Sequence, residues 1–93
     1  MFGARLVPSP MRARASSPGA LHLTTTVAGP VKAQLFDVAG RVVHTLMDVA
    51  WAPAGTHTLH LGAGRATSLE PGIYHYRVHT GEGVLTGRAV LLP

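Results

Sequence analysis

The chain has 93 residues, enough for one domain with one core, and no Cys, which excludes disulfides, thiol catalysis and Cys-based zinc sites. Hydrophobic residues make up 46% and charged residues 13%, with 11 Gly and 7 Pro, a balance that argues against a helical bundle and for short strands joined by tight turns. The net charge of +4 comes from one Lys and seven scattered Arg, at 5, 12, 14, 41, 65, 77 and 88, against four carboxylates, with "RAR" (12–14) the one local cluster, so no nucleic-acid partner is expected.

No apolar run approaches the ~18 residues of a membrane span, so membrane insertion is not expected. "MFGARLVPSP" lacks a signal peptide's apolar stretch, and export would have to be directed by a segment upstream. The absence of Cys does not choose a compartment, because exported domains also lack it.

Residues 1–19 read as an irregular opening segment, with Pro8, Pro10 and Pro18 and a Ser pair at 16 and 17. Within it "ARLV" and "MRARA" are candidate edge strands, and the prolines between them suit a chain that leaves one sheet for the other. Residues 20–93 then read as the sandwich proper. "LHLTTTV" (21–27) sets Leu21, Leu23, Thr25 and Val27 against His22, Thr24 and Thr26. "VKAQLFDV" (31–38) puts Val31, Ala33 and Leu35 on one face and Lys32, Gln34 and Phe36 on the other. "RVVHTLM" (41–47) is β-rich with a broken period, "DVAWAPAG" (48–55) reads as a loop, and "THTLHL" (56–61) groups His57, Leu59 and Leu61. "GAGRATSLEPG" (62–72) has no period and reads as a second loop. "IYHYRVH" (73–79) sets Tyr74, Tyr76 and Val78 against Ile73, His75, Arg77 and His79; "TGEG" (80–83) is a hairpin turn and "VLTGRAVLL" (84–92) the last strand.

No window holds a 3.6-residue apolar period for three turns, so essentially no α-helix is expected. The spacing predicts an all-β, antiparallel Ig/fibronectin type III-like β-sandwich of about seven short strands. One wet face per strand explains the alternation.

The turn in "FDVAGR" has its own chemistry. Asp37 is placed to accept backbone N–H bonds two residues on, Val38 and Ala39 to take type I dihedrals, and Gly40 to supply the positive φ of a three-residue hairpin loop with a bulge.

Catalytic and metal chemistry find little footing. His57 and His60 fall on opposite sides of a strand, and His75 and His79 share a face about 13 Å apart, too far for one ion. With no Cys or carboxylate at ligand spacing, the six His residues read as ordinary outward strand positions. The four Ser residues lie in loops or beside prolines and no G-x-S-x-G elbow is present. "GAGRAT" (62–67) lacks a Walker lysine and a following helix, so it is not read as a phosphate loop. No catalytic residue, metal or cofactor is expected.

Tyr74 and Tyr76 read as core, with their hydroxyls reaching the rim. Trp51 is the one large aromatic in the 48–55 loop, either plugging an open end of the sandwich or serving as an exposed anchor. Contact with a protein partner is expected along 80–92, with Arg88, Val90 and Leu92 as candidate contacts beside Trp51.

Taken in order, "VPSPMRARAS", "VKAQLFDVAGRVVHTL", "PAGTHTLHL" and "EPGIYHYRVHTGEGVLTGRAVLLP" resemble two related families of bacterial modules over about residues 7–92. One is the C-terminal sorting domain of proteins exported by the type IX secretion system. The other is the Ig-like domain of the flagellar hook-capping protein. Both resemblances imply an Ig/fibronectin-like sandwich without catalytic residues. The sorting family implies recognition by an outer-membrane secretion machine and a final place at the cell surface or outside it. The hook-capping family implies a structural protein–protein role.

Overall fold

The computed structural model describes residues 2–7, 11–12, 19–61 and 70–93, with the backbone alone for 11 and 12. The described residues form eight strands: β1 (Gly3–Val7), β2 (Met11–Arg12), β3 (Gly19–Thr25), β4 (Gly29–Phe36), β5 (Val42–Ala52), β6 (Gly55–Leu61), β7 (Gly72–Thr80) and β8 (Gly83–Leu92). Seven of them pair antiparallel in two sheets, in the orders β1-β3-β6 and β8-β7-β4-β5. The two residues of β2 add a short parallel pairing to β8. The chain is therefore an all-β antiparallel sandwich of three strands against four.

Period-two alternation builds the core. Leu21 and Leu23 of β3 and Leu59 and Leu61 of β6 face Val31, Ala33 and Leu35 of β4, Tyr74, Tyr76 and Val78 of β7, and Ala89 and Leu91 of β8. Leu21, Leu23, Leu35 and Leu61 are fully enclosed. Burying each such side chain is worth about 1.5–3 kcal/mol, which is how so short a chain holds two sheets together. Thr25 ends the inward face of β3, buried, and its hydroxyl has no hydrogen-bond partner among the described residues. Val27 keeps the β3 period but is exposed, because the strand stops at Thr25 and the chain turns to cross between sheets.

The reading of 48–55 as a loop is corrected. β5 continues through Asp48, Val49, Ala50 and Trp51 to Ala52, and only Pro53 and Ala54 separate it from β6. Pairing with β4 slips at three places: Val43 is squeezed between Val42 and His44, Leu46 between Thr45 and Met47, and a further irregularity lies between Val49 and Ala52. Each slip restarts the inward–outward alternation, so an 11-residue strand carries no readable period. Most of the second expected loop, 62–69, lies outside the described residues.

Candidate interaction surfaces

Three devices fix the ends of the sandwich, and a fourth lies within the four-stranded sheet. At the β4–β5 turn the Gly40 N–H donates to the Asp37 carbonyl at 3.0 Å and the Asp37 N–H to the Arg41 carbonyl at 2.9 Å. The Asp37 carboxylate accepts from the N–H of Ala39 at 2.9 Å, the N–H of Arg41 at 3.0 Å and the Arg41 guanidinium at 3.1 Å. Gly40 sits at φ +87°. These donors, the Arg41 amide first, hold the Asp37 carboxyl below its ordinary value. Asp37 thus serves first to hold its own turn.

At the β6–β7 corner the Tyr74 hydroxyl, two residues into β7, donates to the Glu70 carbonyl at 2.7 Å. The ring is core while its hydroxyl tethers the backbone just ahead of β7. Burial, followed by the nearby Glu70 charge, raises the Tyr74 phenol above its ordinary value.

At the other end Glu82, on the β7–β8 turn, clamps the β3–β4 crossover. Its carboxylate accepts from the Thr26 N–H at 2.7 Å, the Thr26 hydroxyl at 2.6 Å and the Val27 N–H at 3.0 Å. The Thr26 hydroxyl contributes most to holding the Glu82 carboxyl below its ordinary value. Sequence reasoning missed this clamp, because nothing local pairs residues 26 and 82.

The fourth device is a close approach inside the sheet. Gly87 lies directly across from Tyr76, and a Cβ at position 87 would fall well inside contact distance of the hydroxyl-bearing edge of the Tyr76 ring. The missing side chain lets that edge of the ring approach the β8 backbone.

The expected contact residues fall on two separate regions. Trp51 is not a loop residue and does not plug an open end: it stands on β5, the outer strand of its sheet, 65% exposed. Val42, Val43 and Val49 are exposed along the same strand. Arg88, Val90 and Leu92 alternate along the outer face of β8, with Arg88 and Leu92 exposed and Val90 half-buried. They do not meet Trp51, since β7 and β4 intervene.

The outer face of the four-stranded sheet is built of cross-strand rows. Phe36, His75 and Arg88 form one row, Gln34, Arg77 and Thr86 the next, and Lys32, His79 and Val84 a third, with Ile73 and Val90 beside the first. The Arg77 guanidinium lies over the Phe36 ring, 5.2 Å from its centroid. The first two rows and the β4–β5 turn enclose an open groove whose lining includes Phe36, Asp37, His75, Arg77, Thr86 and Arg88.

The histidines are spread over both sheets: His22, His57 and His60 on β3 and β6, His44 on β5, His75 and His79 on β7. His57 is turned inward and its Nε2 lies 2.8 Å from the Pro53 carbonyl oxygen. No group of three metal-ligating side chains forms among the described residues. The four Ser residues and the "GAGRAT" segment, like Arg14 and Arg65, lie outside the described residues.

Comparison with known proteins places no name on these surfaces: no family model, curated protein or solved structure matches the chain.

Proposed function

We propose that this domain is a non-enzymatic sorting or anchoring module of a longer exported bacterial protein, docking on a protein partner by strand addition along the outer edge of β8. One observation carries this reading. From Val84 to Val90, β8 pairs with a strand only on its β7 side among the described residues, while β2 takes up Leu91 and Leu92 alone. An edge of that length offers a row of backbone donors and acceptors to an incoming strand. Arg88, Val90 and Leu92, alternating on the outer face, supply side-chain selectivity beside it. The ordered resemblance to type IX sorting domains supports a secretion machine as the partner and the cell surface or exterior as the destination.

A structural Ig-like spacer, as in the hook-capping family, is the second reading. The Tyr74–Glu70 tether, which has the form of the tyrosine corner of Ig-like sandwiches, and the Glu82 clamp favour it, because both stiffen the ends at which neighbouring domains would attach.

The test is a fusion of residues 1–93 behind a signal peptide and a reporter in a type IX-competent bacterium. Export of the reporter to the surface or medium is the expected result. Periplasmic retention in cells that export a native cargo overturns the sorting reading. An Ile or Val to Pro change is uninformative in a core strand, so the edge is probed with Thr86→Pro and Val90→Pro on β8, with folding checked by thermal melts.

A further inference from the structure

The groove on the outer face of the four-stranded sheet has a charge pattern that the turn beside it makes one-sided. Arg77, Arg88 and His75 converge on it from adjacent strands, and Lys32 and His79 continue the same face. Neighbouring strands stand about 4.8 Å apart, so the His75 and Arg88 side chains begin within one strand spacing of each other. One carboxylate, Asp37, lines the groove itself, and its charge is offset by the Arg41 guanidinium and two backbone amides bonded to it. Among the described residues the Arg41–Asp37 contact is the one ion pair, and neither Arg77 nor Arg88 has a carboxylate partner there.

We propose that this groove is a docking site for an acidic, partly apolar segment of a partner protein, with carboxylates taken by Arg77 and Arg88 and an apolar side chain seated just beyond the groove on Ile73 and Val90, the next cross-strand pair along the same face. This rests on the reading of the domain as a protein-docking module and names the chemistry of what it docks. Guanidinium groups take carboxylates in a two-pronged fashion, which gives orientation as well as attraction. Arg77 is held ready by its stack on Phe36 and loses less freedom on binding than a free surface Arg would. The apolar component follows from Ile73, 45% exposed, and Val90 directly across from it.

The occupant is not a second copy of the domain. Asp37 and Glu82 are engaged in their own turns, and Asp48 and Glu70 sit on different elements, so the described surface has no acidic patch to complement the groove. A nucleic acid fits less well. The aromatic ring of the site, Phe36, already carries Arg77 on its face and is not free to stack a base.

The experiment titrates the purified domain into a short fluorescein-labelled peptide in which Glu alternates with Leu and Thr, read by anisotropy. A labelled single-stranded oligonucleotide of matching length runs in parallel. Saturable peptide binding is expected, weakened about tenfold or more by R77A/R88A and by raising salt severalfold, and unchanged by Arg5→Ala on the opposite sheet. Both groove arginines are exposed, and equal melting temperatures for the variants show that the fold is intact. No saturable binding, equal binding by R77A/R88A, or tighter binding of the oligonucleotide overturns the proposal. Peptide binding by a domain that fails to export its reporter supports the groove while refuting the sorting role. Export without peptide binding does the reverse.

Discussion

At the scale of single residues, two positions carry conformational or polar duties that no neighbour can assume. At Gly40 a Cβ would meet nothing within 4 Å, so the requirement for glycine is one of backbone conformation alone, φ +87°. Gly40→Val is therefore expected to lower stability by about 1–2 kcal/mol through strain. Ala39→Ser, at an ordinary turn position, should stay within about 0.5 kcal/mol of the parent. Chemical denaturation of the two variants compares them directly, and equal midpoints would overturn the turn's assigned geometry. Tyr74 differs in kind, because its ring is core and its hydroxyl is a tether. Tyr74→Phe keeps the ring and hands the Glu70 carbonyl, on an exposed residue, to water, at an expected cost of about 0.5–1.5 kcal/mol in the same measurement. Thr25 is the opposite case, a buried hydroxyl with no partner among the described residues. Thr25→Val keeps the shape and removes the uncompensated group, so it should raise stability by about 1 kcal/mol or more.

At the scale of elements, the strands differ in how openly the sequence announces them. In β7 the register with both neighbours is unbroken, so Tyr74, Tyr76 and Val78 go inward and His75, Arg77 and His79 outward, as alternation alone predicts. β5 defeats the same argument because three slips against β4 reset its phase, and Trp51 reads as a loop residue when it stands on an outer strand. Asp37 and Gly40 were legible because a tight turn is a local event with local chemistry. The groove was legible only by halves. Alternation puts His75 and Arg77 on one face, but the alignment of Arg88 with His75 and Phe36 depends on the β7–β8 and β4–β7 registers, which are non-local. The Glu82 clamp was illegible for the same reason.

At the scale of the whole molecule, the two carboxylates that close the turns make the fold sensitive to acid. Asp37 and Glu82 both have folded-state values below the ordinary ones. Their contribution is complete above the unfolded value, about 4 for such groups, and is lost as the pH falls through the lower folded value. Thermal melts should thus show stability falling on acidification below about pH 4. In Glu82→Gln the neutral amide should give a lower melting temperature at neutral pH and a shallower acid decline. An identical acid profile for parent and variant would remove Glu82 from this account. The clamp joins the β3–β4 crossover to the β7–β8 turn, so its loss should also speed amide exchange at Thr26 and Val27 before any other crossover is affected.

The approach of Tyr76 to Gly87 sets an order on how this sheet can change over generations. A side chain at position 87 meets the ring at once and would cost about 1–3 kcal/mol as overpacking, so Gly87→Ala in the present background lowers stability. Shrinking Tyr76 first opens the space, after which position 87 is free to take Ala or Val and the lost volume is partly restored. The two sites therefore exchange bulk in one direction of travel only, aromatic residue before glycine. A combined Tyr76→Leu and Gly87→Ala variant should be more stable than the sum of its single changes predicts.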